Sequence, residues 1–136
     1  MGSIPTVSTL LAPDAPSDVV RRYFATFGAG GLDEAAALWH PDVEWHSLRG
    51  AEVITGPAAM HRYYAEWVET LEDLHTEEFE VVFEESERVV ARVNAAGRGR
   101  VSGVPAANSF YVSCVIRDGL IVSGHEYATR EEALGA

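Results

Sequence analysis

Hydrophobic positions recur along this chain at two different periods. Val19, Val20, Tyr23, Phe24 and Phe27 fall at helical spacing. Ser17 is a suitable N-cap ahead of them, and Gly28, Gly30 and Gly31 mark the stop. A short second helix is expected over "LDEAAALW", ending at His40-Pro41, because a residue before proline avoids the helical region. "DVEWHSL" then alternates, with Val43, Trp45 and Ser47 on one side and Glu44 and His46 on the other. The clearest helix begins at Pro57, which suits a first turn. Met60, Tyr63, Tyr64, Trp67, Val68 and Leu71 give it a wide aromatic stripe.

From His75 the period becomes two. "EEFEVVFEE", "RVVARVNAA", "NSFYVSCVIR" and "LIVSGHEYA" read as four strands, the last two joined at Asp118-Gly119, a strong two-residue hairpin signal. An uninterrupted register from that turn sets Ser113 opposite Gly124 and Tyr111 opposite Glu126. One hairpin face then holds Tyr111, Ser113, Val115, Val122, Gly124 and Glu126. The other holds Phe110, Val112, Cys114, Ile116, Ile121, Ser123, His125 and Tyr127. Both are largely apolar, so one should cover the core and the other should meet a partner, most simply a second copy of the chain. The face carrying a carboxylate, a phenol, a hydroxyl and a glycine suits a cavity wall, with Gly124 leaving room for a ligand. Helices grouped ahead of hairpin-linked antiparallel strands predict an α+β fold.

Composition narrows the function classes. The 136 residues, 47% of them hydrophobic, suit one domain over residues 16–136, preceded by a loose Ser/Pro/Ala-rich arm over residues 1–15. Ten Lys+Arg against 21 Asp+Glu leave a formal charge of −11, which argues against nucleic acid and anionic membrane as partners. Cys114 is the single cysteine, so an internal disulfide is impossible and a reducing cytoplasm is the natural setting. His40, His46, His61, His75 and His125 are scattered, with no helical zinc pair, and His46 and His125 point away from the expected cavity by strand parity. No metal and no organic cofactor are called for. The Ala- and Gly-rich composition suggests a GC-rich bacterial genome, where clusters for secondary metabolism are frequent.

The order of elements, together with "VVRRYFATFGAGGLDEAAALWHPDVEWH", "GPAAMHRYYAEWV" and "IRDGLIVSGHEYATREEAL", resembles the SnoaL-like branch of the nuclear-transport-factor-2-like superfamily. The resemblance implies a cone: a curved antiparallel sheet, cystatin-like, wrapped over three helices and closing a deep pocket, with homodimers through the outer sheet face common. The superfamily includes polyketide cyclases, ketosteroid isomerases, epoxide hydrolases, dehydratases and non-catalytic binders, so fold alone does not choose among them. Tyr23 matches the helix tyrosine of ketosteroid isomerase. That family's two acidic positions fall on Ser47 and Ser113, which argues against classical ketosteroid isomerisation. "Arg92-Val93-Asn94" resembles the Arg-x-Asp element of limonene-epoxide hydrolase, and Glu126 falls at its second acid. Its water-positioning residues match Trp45 and Ser47.

These residues define the expected site. A carboxylate in an apolar cavity has its pKa raised, which makes Glu126 an acid–base group. Arg92 and Asn94 share one strand face and are expected to hold a carbonyl, enolate or alkoxide oxygen beside it. Tyr23 and Tyr111 supply hydroxyls, Ser47 and Ser113 further polar contacts, and Phe27, Trp45, Tyr63, Tyr64 and Trp67 flat walls for a hydrophobic, ring-containing substrate. The leading expectation is a cofactor-independent polyketide cyclase-like enzyme or isomerase. An epoxide hydrolase or epoxide-opening cyclase, and a non-catalytic small-molecule-binding domain, are the alternatives.

Overall fold

The computed structural model describes residues 15–29, 31–48 and 51–135. But for Ala15, the arm expected over residues 1–15 lies outside them. Four helices and six strands follow in the order α1 (Pro16–Ala29), α2 (Leu32–Ala36), β1 (Trp39–His46), β2 (Val53–Thr55), α3 (Pro57–Thr70), β3 (Leu71–Glu85), β4 (Arg88–Gly99), β5 (Pro105–Arg117), β6 (Leu120–Tyr127) and α4 (Arg130–Gly135). The strands form one curved sheet in the order β2-β1-β6-β5-β4-β3. Neighbours are antiparallel except β1 and β6, which run parallel. The fold is thus the expected α+β class, with a mixed rather than wholly antiparallel sheet.

Helical spacing on α1 and α3 has the expected consequence. Val19, Val20, Tyr23 and Phe24 of α1 and Met60 and Tyr64 of α3 are buried against the concave face of the sheet. The two helices are tied by a hydrogen bond of 2.8 Å between the Thr26 and Tyr64 hydroxyls. The second helix is shorter than expected, because Trp39 already pairs with Ile121 at the start of β1. Strand β3 starts earlier, at Leu71 rather than near His75, and β2 was not foreseen in a three-residue segment too short to show alternation.

The turn at Asp118-Gly119 forms as expected, with φ of 55° and 76°, the signature of a tight hairpin turn that matches strand twist. Arg117 pairs with Leu120 and Ile116 with Ile121, but Val115 then pairs with Ser123. Val122 is therefore the extra residue of a β-bulge. Because side chains alternate, one inserted residue moves everything beyond it to the other face. Glu126 consequently stands opposite Val112 and Gly124 opposite Cys114, not opposite Tyr111 and Ser113. The expected face assignment is corrected accordingly: Phe110, Val112 and Cys114 share the concave face with Gly124 and Glu126. Tyr111, Ser113 and Val115 share the convex face with Ser123, His125 and Tyr127.

Part of the convex face is covered by the chain itself. Helix α4 packs on β4, β5 and β6 and buries Ala133. Its start is a capping box: the Thr129 hydroxyl accepts from the Glu132 amide at 3.2 Å, and the Glu132 carboxylate accepts from the Thr129 amide at 3.2 Å. Arg88 pins it by donating to the Ala133 carbonyl at 2.7 Å and to the Ser113 hydroxyl at 3.2 Å.

Candidate active site

Between α1, α3 and the concave face lies a cavity of about 380 Å³. Its inner wall is aromatic, from Tyr23 and Phe27 of α1, Trp45 of β1, Tyr63 and Tyr64 of α3 and Phe110 of β5. Trp67, 40% exposed, stands at its rim. The opposite end is floored by alanines: Ala95 and Ala96 of β4 and Ala106 and Ala107 of β5. These two strand segments are paired. Small side chains there leave space that Val or Ile would fill, so the run "AA" in each strand is the sequence signal for the hollow, and it was not read as such. The depth of the site is thus set by large residues on the helices and small ones on the sheet.

Glu126 lines this cavity. Its carboxylate accepts a hydrogen bond of 2.6 Å from the Trp45 indole. The Tyr63 hydroxyl and the Leu48 backbone amide approach the same carboxyl group as weaker donors, and among the described residues only the indole closes a bond of full geometry. Burial raises the Glu126 pKa above the ordinary carboxylate value, and the three donors oppose that rise in part. Trp45 itself is positioned by Gly124. The two residues pair across β1 and β6, and a side chain at 124 would fall within 3.0 Å of three carbons of the indole ring. Gly124 therefore makes room for Trp45, not for a ligand as its place in the strand suggested.

The other expected residues separate into two groups. Tyr23 lines the cavity, buried among aromatic neighbours, with its ring centroid 5.7 Å from that of Trp45. Burial drives its hydroxyl far above the usual tyrosine range. The Trp39 indole approaches that hydroxyl without closing a full hydrogen bond. It is the one buried side-chain polar atom without a partner among the described residues. Tyr63 is pushed up to about 12, first by burial and then by the Glu126 charge.

Arg92 and Asn94 are on the convex side. Arg92 pairs with Tyr111 and Asn94 with Ser109, in the register that puts Ala91, Val93 and Ala95 inward. Their partners there are the Glu80 and Glu78 side chains of β3. The expected cluster of Arg92 and Asn94 with Glu126 is therefore not formed, and neither is an Arg92–Glu126 ion pair. Tyr111 and Ser113 share that convex face and do not line the cavity. Ser47 is buried, but its hydroxyl accepts from the Glu52 amide at 2.8 Å and fastens the following loop. His46 and His125 also lie on the convex side, stacked with centroids 4.0 Å apart. No group of His, Cys, Asp or Glu side chains among the described residues is arranged to hold a metal ion. Among the same residues, no helix is long and apolar enough to cross a membrane.

A family model for the SnoaL-like domain matches residues 20–124. The chain belongs to the SnoaL-like family. A candidate polyketide cyclase from Xanthomonas campestris superposes on it with a TM-score of 0.75, at 18% identity, covering 88% of this chain and 94% of the other. A candidate polyketide cyclase from Pseudomonas putida gives 0.73 at 18% identity, covering 87% and 94%. A protein of ketosteroid isomerase-like fold from Catenulispora acidiphila, in complex with trimethylamine, gives 0.70 at 15% identity, covering 90% and 92%. At these identities the likeness establishes the fold. No curated protein matches the chain in sequence. The SnoaL-like fold places its cavity between helices and sheet, and Glu126 lines that cavity.

Proposed function

We propose that this SnoaL-like protein is a cofactor-independent enzyme of the polyketide cyclase or isomerase type, acting by proton transfer in the aromatic cavity. The observation that carries the reading is Glu126. It is an acid on a sheet strand, facing an apolar hollow, with its pKa raised by burial and its carboxylate oriented by the Trp45 indole. A carboxyl group so placed takes a proton from a C–H or O–H bond of the ligand and returns it at another atom. The Tyr63 hydroxyl, beside the same carboxyl group, donates a hydrogen bond to the charged form and steadies it. Aromatic walls exclude water and hold a flat ring.

The placement of Arg92 and Asn94 removes the guanidinium and amide on which the epoxide-hydrolase alternative depended. A non-catalytic binder is the second reading. It is favoured by the fact that no other ionisable acid or base besides tyrosine lines the cavity among the described residues. We further propose that the chain works as a cytoplasmic homodimer through the convex sheet face left open beside α4; light scattering that gives a monomer at micromolar concentration would remove that part.

The test of the enzyme reading is deuterium exchange. Wild type and Glu126→Gln are incubated in heavy water with poly-β-ketone and cyclic enone probes, and exchange at carbons beside the carbonyl is followed by NMR. Loss of a general base lowers exchange by about 100-fold or more. Equal exchange by the two proteins removes Glu126 from the chemistry and leaves the binder reading.

A further inference from the structure

The charge pattern of the cavity is one-sided. Arg92, the cation expected beside Glu126, is held on the other side of the sheet by Glu78 and Glu80. Among the described residues, those that line the cavity include no Arg, Lys or His. What faces the hollow is a single carboxylate surrounded by the electron-rich faces of indole and phenol rings. Tyr63 bridges these parts, since its hydroxyl approaches both the Glu126 carboxyl group and the Trp67 indole. An anionic ligand has no counter-charge there. A growing oxyanion meets, among the described residues, only uncharged hydroxyl, amide and indole donors. A positive centre meets the carboxylate directly, with ring faces around it.

From this arrangement we infer that the cavity selects ligands carrying a positively charged nitrogen, an alkylammonium attached to an apolar body, with the nitrogen seated between Glu126, Trp45, Tyr63 and Trp67. The inference rests on the cavity being the ligand site, as in the function proposed above, and it specifies the substrate class. It fits the proton-transfer chemistry when the apolar body carries a carbonyl group: the C–H bond between carbonyl and ammonium is acidified by both, its proton goes to the Glu126 carboxylate, and the electron pair is left on the enolate oxygen. It also fits the long-range field: a chain of net charge −11 draws cations toward its surface and repels anions.

Binding of two isosteric probes tests it. Benzyltrimethylammonium carries a permanent charge; neopentylbenzene is the same shape with carbon in place of nitrogen. Both are titrated against the intrinsic fluorescence of the protein, since Trp45 and Trp67 line the cavity. The expected result is that Glu126→Gln weakens benzyltrimethylammonium at least tenfold and changes neopentylbenzene less than twofold. The retained binding of the neutral probe shows that the variant keeps its cavity. Trp67→Leu, at a residue 40% exposed, weakens the cation about threefold and the neutral probe less. If Glu126→Gln weakens both probes alike, or leaves the cation unchanged, the charge selection is wrong while the cavity stands as a binding site. If neither probe binds wild type, the cavity reading fails and this inference with it.

Discussion

Substituting Gly124 by alanine adds one methyl group and should disturb both the core and the candidate site. Strand β6 passes under the Trp45 ring at this position, and an added Cβ would lie within 3.0 Å of three ring carbons, where ordinary contact needs 3.4 Å or more. Trp45 is only 2% exposed and is hemmed in by Tyr23 and Phe24, with ring centroids at 5.7 and 6.3 Å. The ring cannot swing away freely, so either β6 bends or the indole tilts. Overpacking of this kind costs about 1–3 kcal/mol. A tilt of the indole also lengthens its 2.6 Å bond to Glu126, and a hydrogen bond to a charged group contributes about 1.5–3 kcal/mol. The two effects overlap, because relaxing one spends the other, so we expect a total near 2–4 kcal/mol. For a domain of this size that lowers Tm by roughly 4 °C per kcal/mol. Urea denaturation followed by tryptophan fluorescence gives the stability loss, and the Glu126 carbonyl resonance followed against pH gives the local effect. With its best donor displaced, Glu126 should titrate higher in Gly124→Ala than in wild type. A variant within 0.5 kcal/mol of wild type, with an unmoved Glu126 titration, would refute the argument that the glycine exists to seat Trp45.

Glu126 also links stability to pH. Its folded pKa lies above the ordinary value of 4.5, so its contribution is fully present below that value and is lost as pH rises through the folded pKa, at up to about 1.4 kcal/mol per pH unit. Denaturation of wild type and Glu126→Gln from pH 4 to pH 8 should therefore show the variant gaining on wild type as pH rises; parallel profiles would count against burial as the cause. Arg92→Ala and Asn94→Ala should leave probe binding within twofold of wild type, since both side chains are on the convex face, and Arg92→Ala should cost under about 1 kcal/mol because its acidic partners are exposed. A large loss of binding in either, measured by the same fluorescence titration, would contradict the observed register. Thr129→Ala removes half of the capping box of α4 and should cost about 1 kcal/mol in denaturation experiments. No measurable change would mean that Arg88 and the burial of Ala133 hold the helix without the cap.

Some of this protein can be read directly from its residues. The apolar stripes of α1 and α3, the hairpin turn at Asp118-Gly119 and the alternation of Val43 and Trp45 against Glu44 all depend on local periodicity, which side-chain burial enforces within a few residues. The inward direction of Glu126 was also expected, but with the wrong companions. Strand parity counted back from the turn is correct for Ile116 and Ile121. It fails beyond Val122, because a bulge leaves no mark in alternation when both faces are apolar. Parity had likewise placed His46 and His125 away from the cavity, and they are on the convex face.

What the sequence by itself determined is the main helices and strands, though not β2 or α4, and the class of the fold, because those follow from the period of hydrophobic positions and from turn chemistry. The tertiary structure alone decided which polar groups meet. A single extra residue in β6 turned Tyr111 and Ser113 outward relative to Glu126, and the pairing of β4 with β5 sent Arg92 to the acidic side chains of β3. Contacts between distant strands depend on register, and register is fixed by packing across the whole sheet rather than by any one segment.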